Sequence, residues 1–158
     1  EAQSLLDEDR AEALPALAAD WTAPGYSIPA GPGIFPWALR TLAALESLEE
    51  DWRDILRRGE EASPVSAPEP LLERLGTYFS FRYLLKAVND GDLLGRAQFC
   101  LLMVLTGERL AAVCGLEEAV RRLCCEIEHS EENLEALQMA FRNDADLSPA
   151  AFLCELRR

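Results

Sequence analysis

The sequence predicts an all-α protein, an irregular bundle of five or six helices with two buried helices at its centre. Apolar residues recur at steps of three and four along most of the chain, which is the spacing of one helix face. No stretch of useful length alternates apolar and polar residues as a strand does. Apolar residues make up 49% of the 158 residues, enough for one domain with a core of its own.

The first 36 residues are predicted as an N-terminal part, a helix followed by an irregular loop. Helical spacing runs from Ser4 to Ala19, and Pro15 within it removes a backbone hydrogen bond, which predicts a kink or two short helices. The stretch 21–36 is rich in proline and glycine and is predicted to be a loop. Its apolar side chains could still pack onto the core.

Residues 37–158 are predicted as the helical domain. Its first helix begins after Pro36 and continues to about Arg58, because proline suits the first turn and the leucines that follow keep helical spacing. Residues 59–70 are rich in Ser, Pro and Ala and are predicted to link this helix to the next.

The two central helices come next in the chain. The helix predicted over 69–88 carries apolar and aromatic residues in nearly every direction, which predicts burial on all sides. The segment Asn-Asp-Gly at 89–91 ends it, and Asp92 is predicted to cap the helix that follows. That second helix runs to about Val113 and is also predicted to be buried.

Two further helices complete the predicted bundle. One runs from Leu116 to about Phe141, with apolar residues along a single face that turns polar at Ser130. A short last helix is predicted from Ser148, as its N-cap, to Arg157.

The charge of the chain excludes several classes of partner. The formal net charge is −13, from 28 acidic and 15 basic residues, which opposes binding to nucleic acid and to anionic membrane surfaces. No run of 18 apolar residues and no signal-peptide pattern occurs, so we expect a cytoplasmic protein.

The five cysteines are predicted to be reduced thiols of the helical core, because their number is odd and no Cys-x-x-Cys pair occurs. No metal site is predicted from them. The sequence also has no glycine-rich loop between a strand and a helix, so neither a Rossmann cofactor site nor a phosphate-binding loop is expected.

Arg82 is a charge set among aromatic and aliphatic residues, so something must accept its hydrogen bonds. It could clamp two helices by pairing with a carboxylate such as Glu128 or Glu131, or it could await the carboxylate of a partner or substrate. Asp90 and Asp92 are predicted as turn and cap residues, because Asp-Gly-Asp lacks the further oxygens that Ca²⁺ needs.

The stretch 126–135 combines five glutamates with His129, the only histidine. Glu126 and His129 have the Glu-x-x-His spacing of di-iron bundles, but the second copy would need another histidine. His129 could be an acid or base, a ligand of a site completed elsewhere, or a hydrogen-bonded structural residue. The glutamates predict either a solvated face or a surface that attracts a lysine-bearing substrate.

Two segments of the chain resemble the C-terminal part of the bacterial flagellin lysine-N-methylase family: Phe-Arg-Tyr-Leu-Leu-Lys-Ala-Val-Asn-Asp-Gly-Asp-Leu-Leu at 81–94 and the acidic helix at 126–137. A weaker similarity covers 39–56, and the whole match extends from about Trp37 to Phe141. The resemblance implies methylation of flagellin lysines, with S-adenosylmethionine and an iron–sulfur cluster in the full-length protein. The cluster would belong to a cysteine-rich N-terminal region that this chain does not contain. Because the chain starts at Glu1 without methionine, we expect it to be a C-terminal piece of a longer protein.

The resemblance implies a scaffold that docks flagellin or the N-terminal domain and is inactive in isolation. Glu128 and His129 are then the candidate catalytic residues, with His129 accepting the proton of the lysine amine. Arg82, Asp92 and Asn133 are the candidate substrate-binding residues. The alternative is a non-enzymatic α-helical module that binds other proteins.

Overall fold

The computed structural model describes residues 33–35, 37–63 and 67–156, and this part of the chain is helical without any strand, so the all-α class is confirmed. The α-helices are α1 (Trp37–Ala44), α2 (Trp52–Glu61), α3 (Glu69–Tyr83), α4 (Ala87–Asp90), α5 (Leu93–Cys114), α6 (Leu116–Leu123), α7 (Glu131–Asn143) and α8 (Pro149–Leu156). A 3-10 turn at Leu84–Lys86 joins α3 to α4, a π-helical turn at Cys124–Glu128 follows α6, and a 3-10 turn at Ala145–Leu147 precedes α8. The helix predicted over 4–19 and most of the loop predicted over 21–36 lie outside the described residues.

α5 is the centre of the bundle and contacts each of the other helices named above. Phe99, Met103 and Leu110 are buried on one side of it, whereas Leu101, Val104 and Leu105 are only partly buried, so the predicted burial holds for one side of the helix and is partial on the other. The Asp92 carboxylate accepts a hydrogen bond of 2.9 Å from the Gly95 N–H, which confirms the predicted N-cap.

By length and composition alone, α5 is the one helix in the described part of the chain that could cross a membrane. Its packing gives the same composition another explanation, because a helix surrounded by other helices must be apolar on all sides.

The burial predicted for the helix over 69–88 is wrong. In α3 only Phe79 and Tyr83 are buried, and Ala87 continues this inward face at steps of four residues. α3 packs on α5 through that face alone, whereas Phe81 and Val88 are 78% and 87% exposed. The aromatic residues therefore divide between a buried face and an exposed face.

The single helix predicted between Pro36 and Arg58 is two helices, α1 and α2, separated by a loop at 45–51. The residues of this loop are good helix formers, so local propensity does not explain the break. Instead, three N–H groups of the loop donate to side chains of the 126–133 segment. Tertiary hydrogen bonds replace those that a continuous helix would have made.

The single helix predicted over 116–141 is also interrupted. α6 passes into the π-helical turn, His129 lies in a turn, and Ser130 starts α7 as its N-cap by accepting a hydrogen bond of 3.2 Å from the Asn133 N–H. Leu123, Ile127 and Leu137 are buried, so the apolar face predicted from the spacing does pack into the core.

The remaining predictions on the described residues agree with the structure. Gly91 has φ 70°, a left-handed conformation that favours glycine, and it ends α4 where the Asn-Asp-Gly signal predicted. α8 is the predicted short last helix. Ile34 and Phe35, at the end of the predicted loop, pack onto the core.

Candidate docking surface and the residues around it

Four large apolar side chains are exposed along α3, the 3-10 turn that follows it and α4, and we call them the α3 stripe. Tyr78, Phe81, Leu85 and Val88 are 45%, 78%, 59% and 87% exposed. They follow one another at steps of three, four and three residues, the spacing of one helix face. Contiguous apolar side chains in water are unfavourable unless a partner covers them, so the α3 stripe has the character of a binding surface.

The opposite face of the same segment fixes the α3 stripe in place. The Tyr83 ring lies 4.7 Å from the Phe99 ring and 6.5 Å from the Phe79 ring, centroid to centroid. The Cys100 thiol donates a hydrogen bond of 3.3 Å to the carbonyl of Phe79. α3 is therefore held on α5 by buried aromatic contacts, and the α3 stripe is presented on a rigid element.

The charged side chains between residues 74 and 89 are all positive, and Glu73 and Asp90 lie just outside this range. Arg74, Arg82 and Lys86 lie between residues 74 and 89 with no Asp or Glu among them, although the chain as a whole carries −13. Lys86 is also the only lysine in the sequence. A cationic apolar face on an acidic protein is a local departure from the overall charge, and it is suited to an acidic partner.

Arg82 is held from one side only. Its Nε donates to the Tyr83 hydroxyl at 3.1 Å and lies 3.5 Å from a Glu128 carboxylate oxygen. The pairing with Glu128 is the clamp that the sequence allowed, but the Arg82 side chain is 49% exposed. Neither terminal nitrogen of Arg82 has a hydrogen-bond partner among the described residues. The open end of the guanidinium fork could therefore receive a carboxylate in the bidentate geometry that arginine favours.

Tyr83, Glu128 and Cys124 form the buried support of Arg82. The Glu128 side chain is 4% exposed, and its Oε1 has no hydrogen-bond partner in the described part of the chain. Burial raises the pKa of Tyr83, so its hydroxyl stays protonated and can bridge the guanidinium and the carboxylate. Burial and the nearby Glu128 raise the pKa of the Cys124 thiol to about 11.

A second polar group fixes the loop at 45–51, and we call it the loop anchor; it consists of Glu126 and Asn133. The Glu126 carboxylate is fully buried and accepts from the N–H groups of Leu48 and Glu49 at 2.8 and 2.7 Å. The Asn133 amide accepts from the Glu46 N–H at 3.0 Å and donates to the carbonyls of Glu46 and Glu126 at 2.8 and 2.7 Å. The side chain of Asn133 is thus engaged within the chain itself.

The same loop is held from outside by a surface network of ion pairs. Arg122 contacts Glu49 at 3.0 Å and Glu118 at 2.7 Å, and it also pairs with Asp51. Arg121 and then Arg122 lower the pKa of Glu118 to about 2 by hydrogen bonding to its carboxylate. α6 is thereby tied to the loop at 45–51 from the solvent side.

The remaining predicted site residues lie apart from these two groups. His129 is exposed in the turn before α7, where its backbone N–H donates to the carbonyl of Ile127, and its side chain has no hydrogen-bond or ion-pair partner within the described ranges. Asp92 caps α5 and pairs with Arg142 at 3.0 Å, at the edge of a cleft of about 470 Å³ that Asp90 and Phe141 also line.

The five predicted residues therefore do not form one constellation. Arg82 and Glu128 come together, His129 follows Glu128 in the chain, and Asp92 and Asn133 have other partners. The acidic stretch is divided as well, because Glu126 and the side chain of Glu128 are buried whereas Glu131, Glu132 and Glu135 are exposed. Sequence reasoning missed the loop anchor, although Ser-Glu-Glu-Asn at 130–133 is an N-cap signal that marks its position.

The described residues do not fit an iron–sulfur cluster or another metal site. No three His, Cys, Asp or Glu side chains come together among them in a way that could hold a metal ion. All five cysteines are free thiols, and burial raises the pKa of Cys100 to about 11, which keeps it protonated and makes it a poor ligand.

No family model, no curated protein and no solved structure matches this chain in sequence or structure comparisons. The resemblance to the flagellin lysine-N-methylases therefore depends on the segments at 81–94 and 126–137 and on the weaker one at 39–56.

Proposed function

We propose that this chain is the helical docking domain of a lysine-N-methylase-like protein and that the α3 stripe is its docking surface. The observation that supports docking is the exposure of Tyr78, Phe81, Leu85 and Val88 on a helix that buried aromatic contacts hold in place. The support for the family is that the α3 stripe overlaps the segment 81–94, which carries the stronger part of the resemblance.

In this proposal the residues around the α3 stripe orient a protein substrate such as flagellin. Arg82 presents the open end of its guanidinium, while Tyr83 and Glu128 hold the other end. His129 is exposed next to Glu128 and could accept the proton of a lysine amine that reaches it. Asp92 lines the cleft beyond Val88, where a side chain of the bound protein could enter.

Methyl transfer itself belongs to another part of the full-length protein. S-adenosylmethionine would supply the methyl group there, and the cysteine-rich region would hold the iron–sulfur cluster. The residues of this chain bind and position the substrate, and His129 accepts the proton of the lysine amine. The protein would work in the cytoplasm, where flagellin is made and lysine side chains are accessible before export.

A second candidate is a non-enzymatic interaction module. It is favoured by the separation of the predicted site residues, since Asn133 is engaged in the loop anchor and Asp92 in a cap. Both candidates need the α3 stripe as a binding surface, and they differ only in whether methylation follows binding.

The experiment that separates them is co-expression of flagellin with the native-length parent of this chain, followed by mass spectrometry of flagellin lysines. Methylated lysines with the parent, and their loss with Phe81→Ser, would support the docking domain of a methylase. Met139→Ser is the matched control, because Met139 is 55% exposed on α7 and lies outside the α3 stripe. Unmodified flagellin that still binds the parent would favour the non-enzymatic module. Unmodified, unbound flagellin would contradict flagellin as the partner.

A further inference from the structure

We infer that the occupant of the α3 stripe is an acidic amphipathic helix of a partner protein. This inference deepens the proposed docking function and rests on it, because it names the chemistry of the partner that the α3 stripe would take. Three properties of the described residues lead to it: the spacing of the apolar side chains, the sign of the charges beside them, and the open fork of Arg82.

The spacing of the α3 stripe matches a helix better than an extended strand. Its four side chains span 78–88 at steps of three and four residues, across the end of α3, the 3-10 turn at Leu84–Lys86 and α4. A partner helix with apolar residues at the same spacing can lay its own line against this one, as amphipathic helices do in binding grooves. An extended peptide presents side chains at every second residue and would meet the α3 stripe out of register.

The charges select the sign of the partner. Arg74, Arg82 and Lys86 flank the apolar line, and the segment from 74 to 89 contains no carboxylate. Lys86 lies over the Tyr83 ring with its amine 4.9 Å from the ring centroid, and it follows Leu85 of the α3 stripe in the chain. Carboxylates on either side of the partner's apolar line would pair with these cations, and lysines there would be repelled.

Arg82 adds geometric selectivity to this charge. Tyr83 and Glu128 engage its Nε, so the guanidinium is oriented before a partner arrives. Its terminal nitrogens, which have no partner among the described residues, can donate two parallel hydrogen bonds to one carboxylate. A Glu or Asp next to the apolar line of the partner helix would complete this contact.

The charges of the protein disfavour a second copy of the chain and an anionic membrane as occupants of the α3 stripe. Two copies paired through their α3 stripes would place Arg82 and Lys86 of each copy near the same cations of the other. An anionic membrane would be repelled by the net charge of −13 carried by the rest of the protein. The acidic face of α7 in a second copy offers Met139 as its one exposed large apolar residue, too few to cover four.

The test is direct binding of two synthetic helical peptides to the full chain, measured by fluorescence anisotropy. Both peptides carry leucines at the spacing of the α3 stripe over about four turns, and they differ only in having Glu or Lys on the flanking positions. We expect the acidic peptide to bind, with an affinity that falls as salt screens the ion pairs, and the basic peptide to bind at least about tenfold more weakly.

Variants of the chain assign this binding to the α3 stripe. Phe81→Ser should abolish binding of the acidic peptide, and Arg82→Ala combined with Lys86→Ala should weaken it about tenfold and flatten its salt dependence. Met139→Ser, outside the α3 stripe, should leave it unchanged. Circular dichroism confirms that each variant is folded before its binding is interpreted.

Several results would overturn the inference. Equal binding of both peptides would show that the α3 stripe docks a helix without selecting its charge. The docking function would then be supported, and the inference of an acidic partner would be wrong. A dimer in light scattering that Phe81→Ser dissociates would assign the α3 stripe to a second copy. Binding to vesicles of anionic lipid that Phe81→Ser removes would assign it to a membrane.

The chain itself also contains a competing sequence. Residues 1–20 carry six carboxylates and one arginine, with leucines at 5, 6, 14 and 17. Leu14→Glu removes one of these leucines. If the acidic peptide binds this variant but not the parent chain, the occupant of the α3 stripe belongs to the same chain and the inference of a partner protein fails. If no peptide binds any variant and methylation of flagellin is insensitive to Phe81→Ser, both the inference and the docking function fail.

Discussion

The loop anchor and the α3 stripe use polar and apolar groups in opposite ways. Glu126 is fully buried and gives both carboxylate oxygens to the backbone of the loop at 45–51. Phe81 is 78% exposed and gives its ring to solvent. The loop anchor lies in the segment at 126–137 and the α3 stripe overlaps the segment at 81–94, the two segments that suggested a function from sequence.

The difference separates residues that act in folding from residues available for binding. A buried carboxylate with good hydrogen bonds satisfies backbone groups that would otherwise be unpaired, so its contribution is internal. An exposed aromatic on a helix held from behind adds little to stability, so its presence needs another reason. From polarity alone, Glu126 would have been assigned to a binding surface and Phe81 to the core.

The largest expected contrast lies between two phenylalanines on α3. Phe79→Ala removes a fully buried ring from the contact between α3 and α5 and should lower the free energy of unfolding by about 4 kcal/mol. Phe81→Ala, two residues away, should change it by less than about 0.5 kcal/mol because the ring is exposed. Urea unfolding followed by circular dichroism measures both. Equal losses in the two variants would show that the α3 stripe is covered in solution.

The next effect tests the loop anchor. Glu126→Ala removes the acceptor of the Leu48 and Glu49 N–H groups from a fully buried position and should cost about 3 kcal/mol of unfolding free energy. Glu135→Ala is the control on the same acidic stretch, and because Glu135 is exposed its change should stay within about 0.5 kcal/mol. Hydrogen exchange at Leu48 and Glu49 should become faster in the Glu126 variant alone. Unchanged protection there would mean that the loop does not depend on the carboxylate.

The smallest effect concerns the outer ion pairs of the same loop and appears as a dependence on pH. The pKa of Glu118 is lowered from its ordinary value of 4.5 to about 2 by Arg121 and Arg122, so the folded state keeps this carboxylate charged where the unfolded state protonates it. Its contribution is therefore complete above about pH 4.5 and is lost as the pH falls towards 2.

The measurement compares the parent and Glu118→Gln by urea unfolding at neutral and acidic pH. The parent should be slightly more stable at neutral pH, and the difference should shrink as the pH falls towards 2 and also at high salt, since the pairs are exposed. A difference that is constant with pH would mean that the two arginines do not depress the pKa of Glu118.

Local signals predicted the ends of several helices correctly. Asp92 caps α5 because a short carboxylate can reach an N–H of the first turn, and Gly91 ends α4 because glycine adopts a positive φ freely. The apolar run around Phe99 predicted the buried central helix, since a helix that is apolar on all sides must be surrounded. The pairing of Arg82 with Glu128 was one of two alternatives that the sequence left open.

The sequence by itself determined the all-α class, the central helix and the cationic-aromatic and acidic character of the segments at 81–94 and 126–137. It could do so because periodicity, capping residues and composition act over a few neighbouring residues. Only the tertiary structure decided which of those residues are buried. The break at 45–51 depends on Glu126 and Asn133, some eighty residues away, and the exposure of Phe81 depends on α5 covering one face of α3 and not the other. Such contacts join residues distant in the chain, so no local pattern encodes them.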